Sequence, residues 1–197
     1  MRALLALAFV IASAPASAAE PKPTDEANAY CDALKGLATG EKMPFRILAD
    51  VSSGRREGPP DWREFETDDE RARQDTGDNL NGNANVYYKK EQAVYIHVLY
   101  QSPSRDWGHY VNYCFRPDGT LARISSELRT LHGRVRVVRT FLYDTSRGVL
   151  SQSKRVLDLE SGEPVAKGRD FIDQEVPVFW AMSEFPFYKL LISRGAA

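Results

Sequence analysis

Between residues 86 and 159, apolar and polar side chains alternate in short runs separated by turn-forming residues. This period of two predicts β-strands. In residues 93–101, Val94, Ile96 and Val98 fall on one side and Tyr95, His97 and Leu99 on the other, so both faces of this strand are expected to be largely covered. A strand at 109–115 ends at Pro117-Asp118-Gly119, where proline presets φ and glycine supplies the left-handed position of a tight hairpin. Strands at 120–130 and 135–144 follow, joined around His132-Gly133, and a turn at 144–148 leads into a last strand at 149–159. Sequential hairpins of this length predict an antiparallel meander.

The period changes on either side of this block. Ala27, Tyr30, Cys31, Leu34, Leu37 and Ala38 recur at three and four residues, which predicts a helix over 25–38. Thr24 is its expected N-cap, Asp25 and Glu26 suit the first turn, and Gly40 marks the stop. Residues 45–51 alternate again after Pro44, as a first strand that could pair with the meander. From 52 to 85 the composition shifts to Gly, Pro, Asn and charge, which reads as a polar, partly mobile insertion. Within it, Asp61 and Glu64 have capping-box spacing for a short helix, and Trp62 and Phe65 would hold the segment down. After Pro164, residues 170–173 and 176–182 read as further strand, and Ser183, Glu184 and Pro186 as the opening of a helix carrying Phe187, Leu190 and Leu191. Phe179, Trp180, Phe185, Phe187 and Tyr188 are expected to plug one end or face of the sheet, with a ligand-binding aromatic cluster as the alternative. The predicted fold is α+β: an N-terminal helix packed on a curved antiparallel β-meander of about six or seven strands, with a short C-terminal helix.

Residues 1–19 stand apart from that fold. Arg2, the apolar run 3–12 and Ala16-Ser17-Ala18 together describe a secretory signal peptide, removed on export. The run is shorter than the ~20 residues of a spanning helix, so no transmembrane helix is expected in the mature chain. Residues 20–197 are then expected to form one domain in a periplasmic or secreted protein. Cys31 and Cys114 suit that compartment as a single disulfide tying the first helix to the sheet. Neither has C-x-x-C spacing, and two buried thiols or a thiol site are the alternatives.

Charge is balanced overall, 26 Lys and Arg against 27 Asp and Glu, which gives no argument for nucleic acid. It is unbalanced locally. Residues 116–155 carry nine basic and three acidic side chains, whereas 57–78 is rich in acid. Alternation puts Arg123, Glu127 and Arg129 on one strand face and Arg134 and Arg136 together on the next, a basic surface suited to a phosphate, a lipid headgroup or an acidic glycan. A solvated face of cross-strand ion pairs, with the acidic 57–78 segment as a candidate cover, is the competing reading.

The chain contains no G-x-S-x-G elbow, H-E-x-x-H helix, phosphate loop or G-x-G-x-x-G fingerprint, and no N-x-S/T sequon. A hairpin register that pairs Phe115 with Thr120 sets His109 opposite Ser126 and leaves His132 ~20 Å away, so His97, His109 and His132 are not expected to share a metal. Asp75, Asp78, Asn79, Asn81 and Asn83 miss the EF-hand spacing, since Gly77 and Tyr88 would occupy the first and twelfth positions. No metal and no cofactor are therefore assigned. The leading expectation is a non-enzymatic protein that binds a small molecule or an envelope partner on its sheet. Alternatives are a carrier of an apolar or anionic lipid-like ligand, held between Tyr95, Leu99, Tyr113, Leu128 and the helix; an enzyme with a site at the 102–109 loop, using His109 or His132 with Arg105 and Asp106; and an envelope protein pairing through an exposed edge strand.

Overall fold

In the computed structural model, residues 22–52, 59–74, 82–165 and 169–193 are described; the predicted signal segment 1–19 and residues 75–81 of the polar run lie outside them. Helix α1 spans Pro23–Thr39. Its N-cap is Lys22 rather than Thr24, because Pro23 suits the first helical position: its φ is preset and it has no N–H to leave unpaired.

Eight antiparallel strands follow: β1 Phe45–Asp50, β2 Trp62–Phe65, β3 Gly82–Lys89, β4 Gln92–Gln101, β5 Trp107–Phe115, β6 Leu121–Thr130, β7 Val135–Tyr143 and β8 Val149–Asp158. Their order in the sheet is β2-β1-β3-β4-β5-β6-β7-β8. The meander therefore runs unbroken from β3 to β8, and the strand count exceeds the predicted six or seven. The strand missed in the sequence is β2, where a helix was expected from Asp61. Residues 62–65 instead pair with β1, with Asp50 opposite Trp62 and Ile47 opposite Phe65. Asp50 Oδ1 closes the connection by accepting from the Ser52 and Asp61 amides. The capping box lies six residues later: Thr67 Oγ1 accepts from the Glu70 amide and Glu70 returns a carboxylate to the Glu66 amide, starting helix α2, Asp68–Gln74.

The two faces of the sheet are covered differently. On one, the helix face, α1 packs over β4–β8 and α2 over β1 and β2. Cys31, Leu34 and Ala38 of α1 meet Val94, Tyr95, Cys114 and Ala122. A disulfide joins Cys31 to Cys114, with Cα atoms 5.8 Å apart. Three register breaks line up at this end of the sheet, between Tyr87 and Tyr88, Cys114 and Phe115, and Leu142 and Tyr143. Each leaves one unpaired residue on the neighbouring strand, Val94, Ala122 and Leu150 respectively. Such bulges re-aim side chains. Val94 and Ala122 thereby join the α1 cluster, and Leu150 lines a hollow of about 380 Å³ beside Ala27 and Tyr30.

On the opposite face, residues 169–187 cross the sheet as a strap, without strand pairing and with one 3-10 turn at Met182–Glu184. The strands expected at 170–173 and 176–182 are absent, because this segment lies over a face instead of adding at an edge. Phe171 packs with Leu128, Val135 and Val137; Phe185 and Phe187 join Leu48, Val86, Ile96, Val98, Tyr113 and Ile124 in the main core. Phe185 sits 4.3 Å from Phe179 and 5.0 Å from Tyr113, ring to ring, and Phe187 is 4.8 Å from Trp62. Gly133, at φ 74°, lets the strap begin close in: a Cβ there would fall 2.4 Å from the Asp170 carbonyl oxygen. The strap ends in the short helix α3, Tyr188–Ile192, whose Leu190 and Leu191 carbonyls accept from Arg46.

Candidate functional site

Beyond the contact with α1, the helix face opens. Cross-strand pairing aligns Asn85, His97, Asn112, Ser125, Thr140 and Ser153 in one row over six strands. The first five are half-buried and Ser153 is exposed. His97 Nδ1 and Asn112 Oδ1 are 2.8 Å apart within this row. The adjacent row carries Tyr110, flanked by the His97 ring at 6.2 Å and by the Arg129 guanidinium at 5.1 Å. Gly108, beside Tyr110, leaves room at the sheet end for a hollow of about 310 Å³, lined also by Leu99, Asp106, Arg129 and Leu131.

The four arginines proposed from sequence go to three different places. Arg123 leaves the ligand-facing set: it is 7% exposed beneath α1, ion-paired to Asp32 and donating to Asn28 Oδ1, so it anchors the helix. Alternation alone put it on the correct face, but α1 covers that end. Arg134 is not on a strand. It occupies the 3-10 turn His132–Arg134 at φ 49° and pairs with Glu160 at the surface. Arg129 and Arg136 do meet, directly opposite one another across β6 and β7. Arg129 is balanced by Glu127 at 2.6 Å. Arg136 is half-buried, its Nε is sealed from solvent without a partner, and it forms no ion pair among the described residues. Arg155, exposed on β8, extends this basic corner: it faces Val138, two residues on from Arg136. Like charges set opposite in a sheet repel, so a counter-anion is favoured here. The acidic α2 lies over β1 and β2, at the other end of the sheet, and does not cover the corner.

The remaining candidates are dispersed. His109 pairs with Leu128, not Ser126, since Phe115 meets Leu121 and Ala122 is bulged. Its ring lies on the strap face, 2% exposed, away from the 102–109 loop, and burial pushes its pKa down to about 4. In that loop Asp106 accepts from the Ser102 hydroxyl, and this bond with that of Ser104 lowers its pKa. His132 is exposed in its turn. Among the described residues no group of three His, Cys, Asp or Glu side chains is placed to hold a metal ion. Tyr95 and Leu99 face the helix side whereas Tyr113 and Leu128 face the strap, so the four residues expected to enclose an apolar ligand are split between the two faces.

The polar row was not visible in the sequence. Its members are ordinary alternating residues, and only the register, which the bulges offset, aligns them. No protein family, curated protein or solved structure matches this chain.

Proposed function

We propose that this is an exported protein, periplasmic or secreted, that binds an oxyanion-bearing polar ligand or envelope partner on the open part of its helix face and performs no chemistry on it. The observation that carries this reading is Arg136, a half-buried, uncompensated guanidinium held opposite Arg129, two same-face positions along β7 from Thr140 of the amide, imidazole and hydroxyl row. An oxyanion between the two arginines would remove their repulsion and give Arg136 its missing acceptor. The row supplies donors and acceptors for neutral hydroxyls, and the exposed side of Tyr110 suits a sugar ring or planar group.

Export is supported by the residue 1–19 pattern and by the disulfide, a bond that persists in oxidising compartments. Among the described residues no helix is long and apolar enough to cross a membrane. Residues 20–197 would act as one processed domain.

Calorimetric titration with inorganic phosphate and with an oligogalacturonate tests the reading. One of them should bind saturably, and Arg136→Met should weaken that binding by about ten- to a hundredfold, the range for a charge-assisted hydrogen bond. Arg134→Ala, whose side chain is already engaged by Glu160 at the surface, should leave it unchanged. Absence of saturable binding to both probes, or equal affinity in Arg136→Met, would sink the proposal.

A further inference from the structure

A second constellation lies on the strap face, unrelated to the basic corner. Three adjoining side chains there are nearly sealed from solvent: His109 at 2%, Ser126 at 3% and Arg139 at 8% exposure. Each has a polar atom with no hydrogen-bond partner, His109 Nε2, Ser126 Oγ and Arg139 Nη1. Ser126 faces Arg139 across β6 and β7, and Arg139 faces Lys154 across β7 and β8. Two cations set opposite on one strap-covered face need an anion between them. Asp173 of the strap supplies it, accepting from Arg139 with both oxygens and from Lys154 at 2.8 Å.

The fit of Asp173 is incomplete. Both of its oxygens engage Nη2 of Arg139, and Nη1 is left unpaired. A guanidinium and a carboxylate are matched fork to fork, one oxygen to each of two N–H groups. Asp173, fixed to the strap, engages one arm; an untethered carboxylate can take both. Room for such a ligand adjoins the pair. Two hollows, of about 590 and 370 Å³, are both lined by Arg139 and Phe141. The larger has Asp173, Gln174 and Glu175 on its polar side and Val176 and Val178 along its wall; the smaller is floored by Gln152 and Lys154. Val178 is 40% exposed and forms an apolar lip of the larger hollow.

We propose that the groove between the strap and β7–β8 binds an amphipathic monocarboxylate, whose head group replaces Asp173 on Arg139 and Lys154 and whose apolar chain lies along Phe141, Val176 and Val178. Asp173 is thus an internal competitor that holds the site in the unliganded protein. The chain length is set by the hollows, which hold a medium-length tail.

The test is calorimetric titration of the purified protein and its variants with decanoate, with acetate and 1-decanol as controls for head and tail alone. Decanoate should bind saturably, and acetate and 1-decanol should not. Asp173→Asn removes the competitor and should tighten decanoate by about tenfold, because occlusion of a site lowers apparent affinity by the occluded fraction. Arg139→Gln should abolish binding; should that variant fail to fold, Lys154→Gln, altering a half-exposed side chain, should weaken decanoate severalfold. Decanoate affinity unchanged or lost in a folded Asp173→Asn protein would make Asp173 a strap clamp only and overturn the proposal. So would equal binding of 1-decanol, or decanoate binding indifferent to both Arg139 and Lys154.

Discussion

The two faces of this sheet are closed by different physics. The strap face is sealed by area: Phe179, Trp180, Phe185 and Phe187 lay aromatic surface over a floor of Val86, Ile96, Val98, Tyr113 and Ile124. The helix face is covered only in part, by α2 over β1 and β2 and, at one end of β4–β8, by a small apolar contact with α1 reinforced with the Cys31–Cys114 bond and the Arg123–Asp32 pair. Hydrophobic closure is non-directional and leaves little room for polar groups. A covalent tether holds a helix with far less burial. The rest of the helix face can then carry its polar row half-exposed without loss of the fold.

The largest test of this contrast is removal of the tether. Replacing both cysteines by serine frees a loop of 83 residues, which the chain-entropy treatment puts at about 4.5 kcal/mol. Urea unfolding should show that loss, with α1 exchanging its amides ahead of β4–β7. Loss of all amides at one common rate would mean that α1 is held by packing as firmly as the strap is. Phe185→Ala addresses the other face. It is 2% exposed and touches four aromatic rings, so about 4 kcal/mol should be lost. The Cys31–Cys114 bond would still hold α1 in place, and thiol titration of the native variant should find no reactive cysteine.

Titration is a further test of the strap face. On the strap face, His109 packs near Arg139 and Asp173 and close to Ser126, with Lys154 beyond; burial, helped by the Arg139 charge, holds its pKa at about 4 against an ordinary 6.5. A depressed folded pKa means that the unfolded chain binds the proton first. Stability from neutral His109 is therefore complete above pH 6.5, declines as pH falls below it, and is fully lost below about 4. The integrated effect is on the order of 3 kcal/mol. His109→Leu should flatten the stability profile between pH 4 and 6.5. An unaltered slope in His109→Leu would show that other groups produce it.

These comparisons also show what could be read without coordinates. Strands β4 to β8 emerged from alternation and turn chemistry to within one or two residues, because Pro117-Asp118-Gly119 and Asp144 to Gly148 dictate their turns locally: Gly119 takes φ 82°, and Asp144 Oδ1 accepts from the Ser146 and Gly148 amides. β3 was placed from Val86 only, and its first four residues, 82–85, were read as part of the polar insertion. The cysteine pair was legible because helical periodicity placed Cys31 on the buried stripe. β2 was not, since Trp62-Arg63-Glu64-Phe65 has a helix-like spacing of apolar residues and becomes a strand only by pairing with β1. Register was lost in the β5–β6 hairpin, where Phe115 meets Leu121 instead of Thr120 and the bulge at Ala122 adds a second residue of offset to every pairing beyond it. With register went the polar row, which crosses from β5 to β6 at Asn112 and Ser125. Arg139 and Lys154 carried no signal of their own until Asp173 came over them on the strap.

The smallest effect is the most specific. Arg123 and Arg136 both lie on the helix face, and from sequence they looked alike. Arg123 is paired with Asp32 and donates to Asn28; its replacement by methionine should cost about 1 kcal/mol, because a partly exposed ion pair and its hydrogen bond are lost. Arg136 has an unpartnered Nε and a like charge opposite, so Arg136→Met should leave stability unchanged or raise it by up to about 1 kcal/mol. Salt should narrow the gap between wild type and the Arg136 variant, since part of it is repulsion with Arg129. Denaturant midpoints at low and high ionic strength measure both signs. A loss in Arg136→Met equal to that in Arg123→Met would mean that Arg136 is already satisfied within the fold, and the basic corner would have no unmet charge to offer an anion.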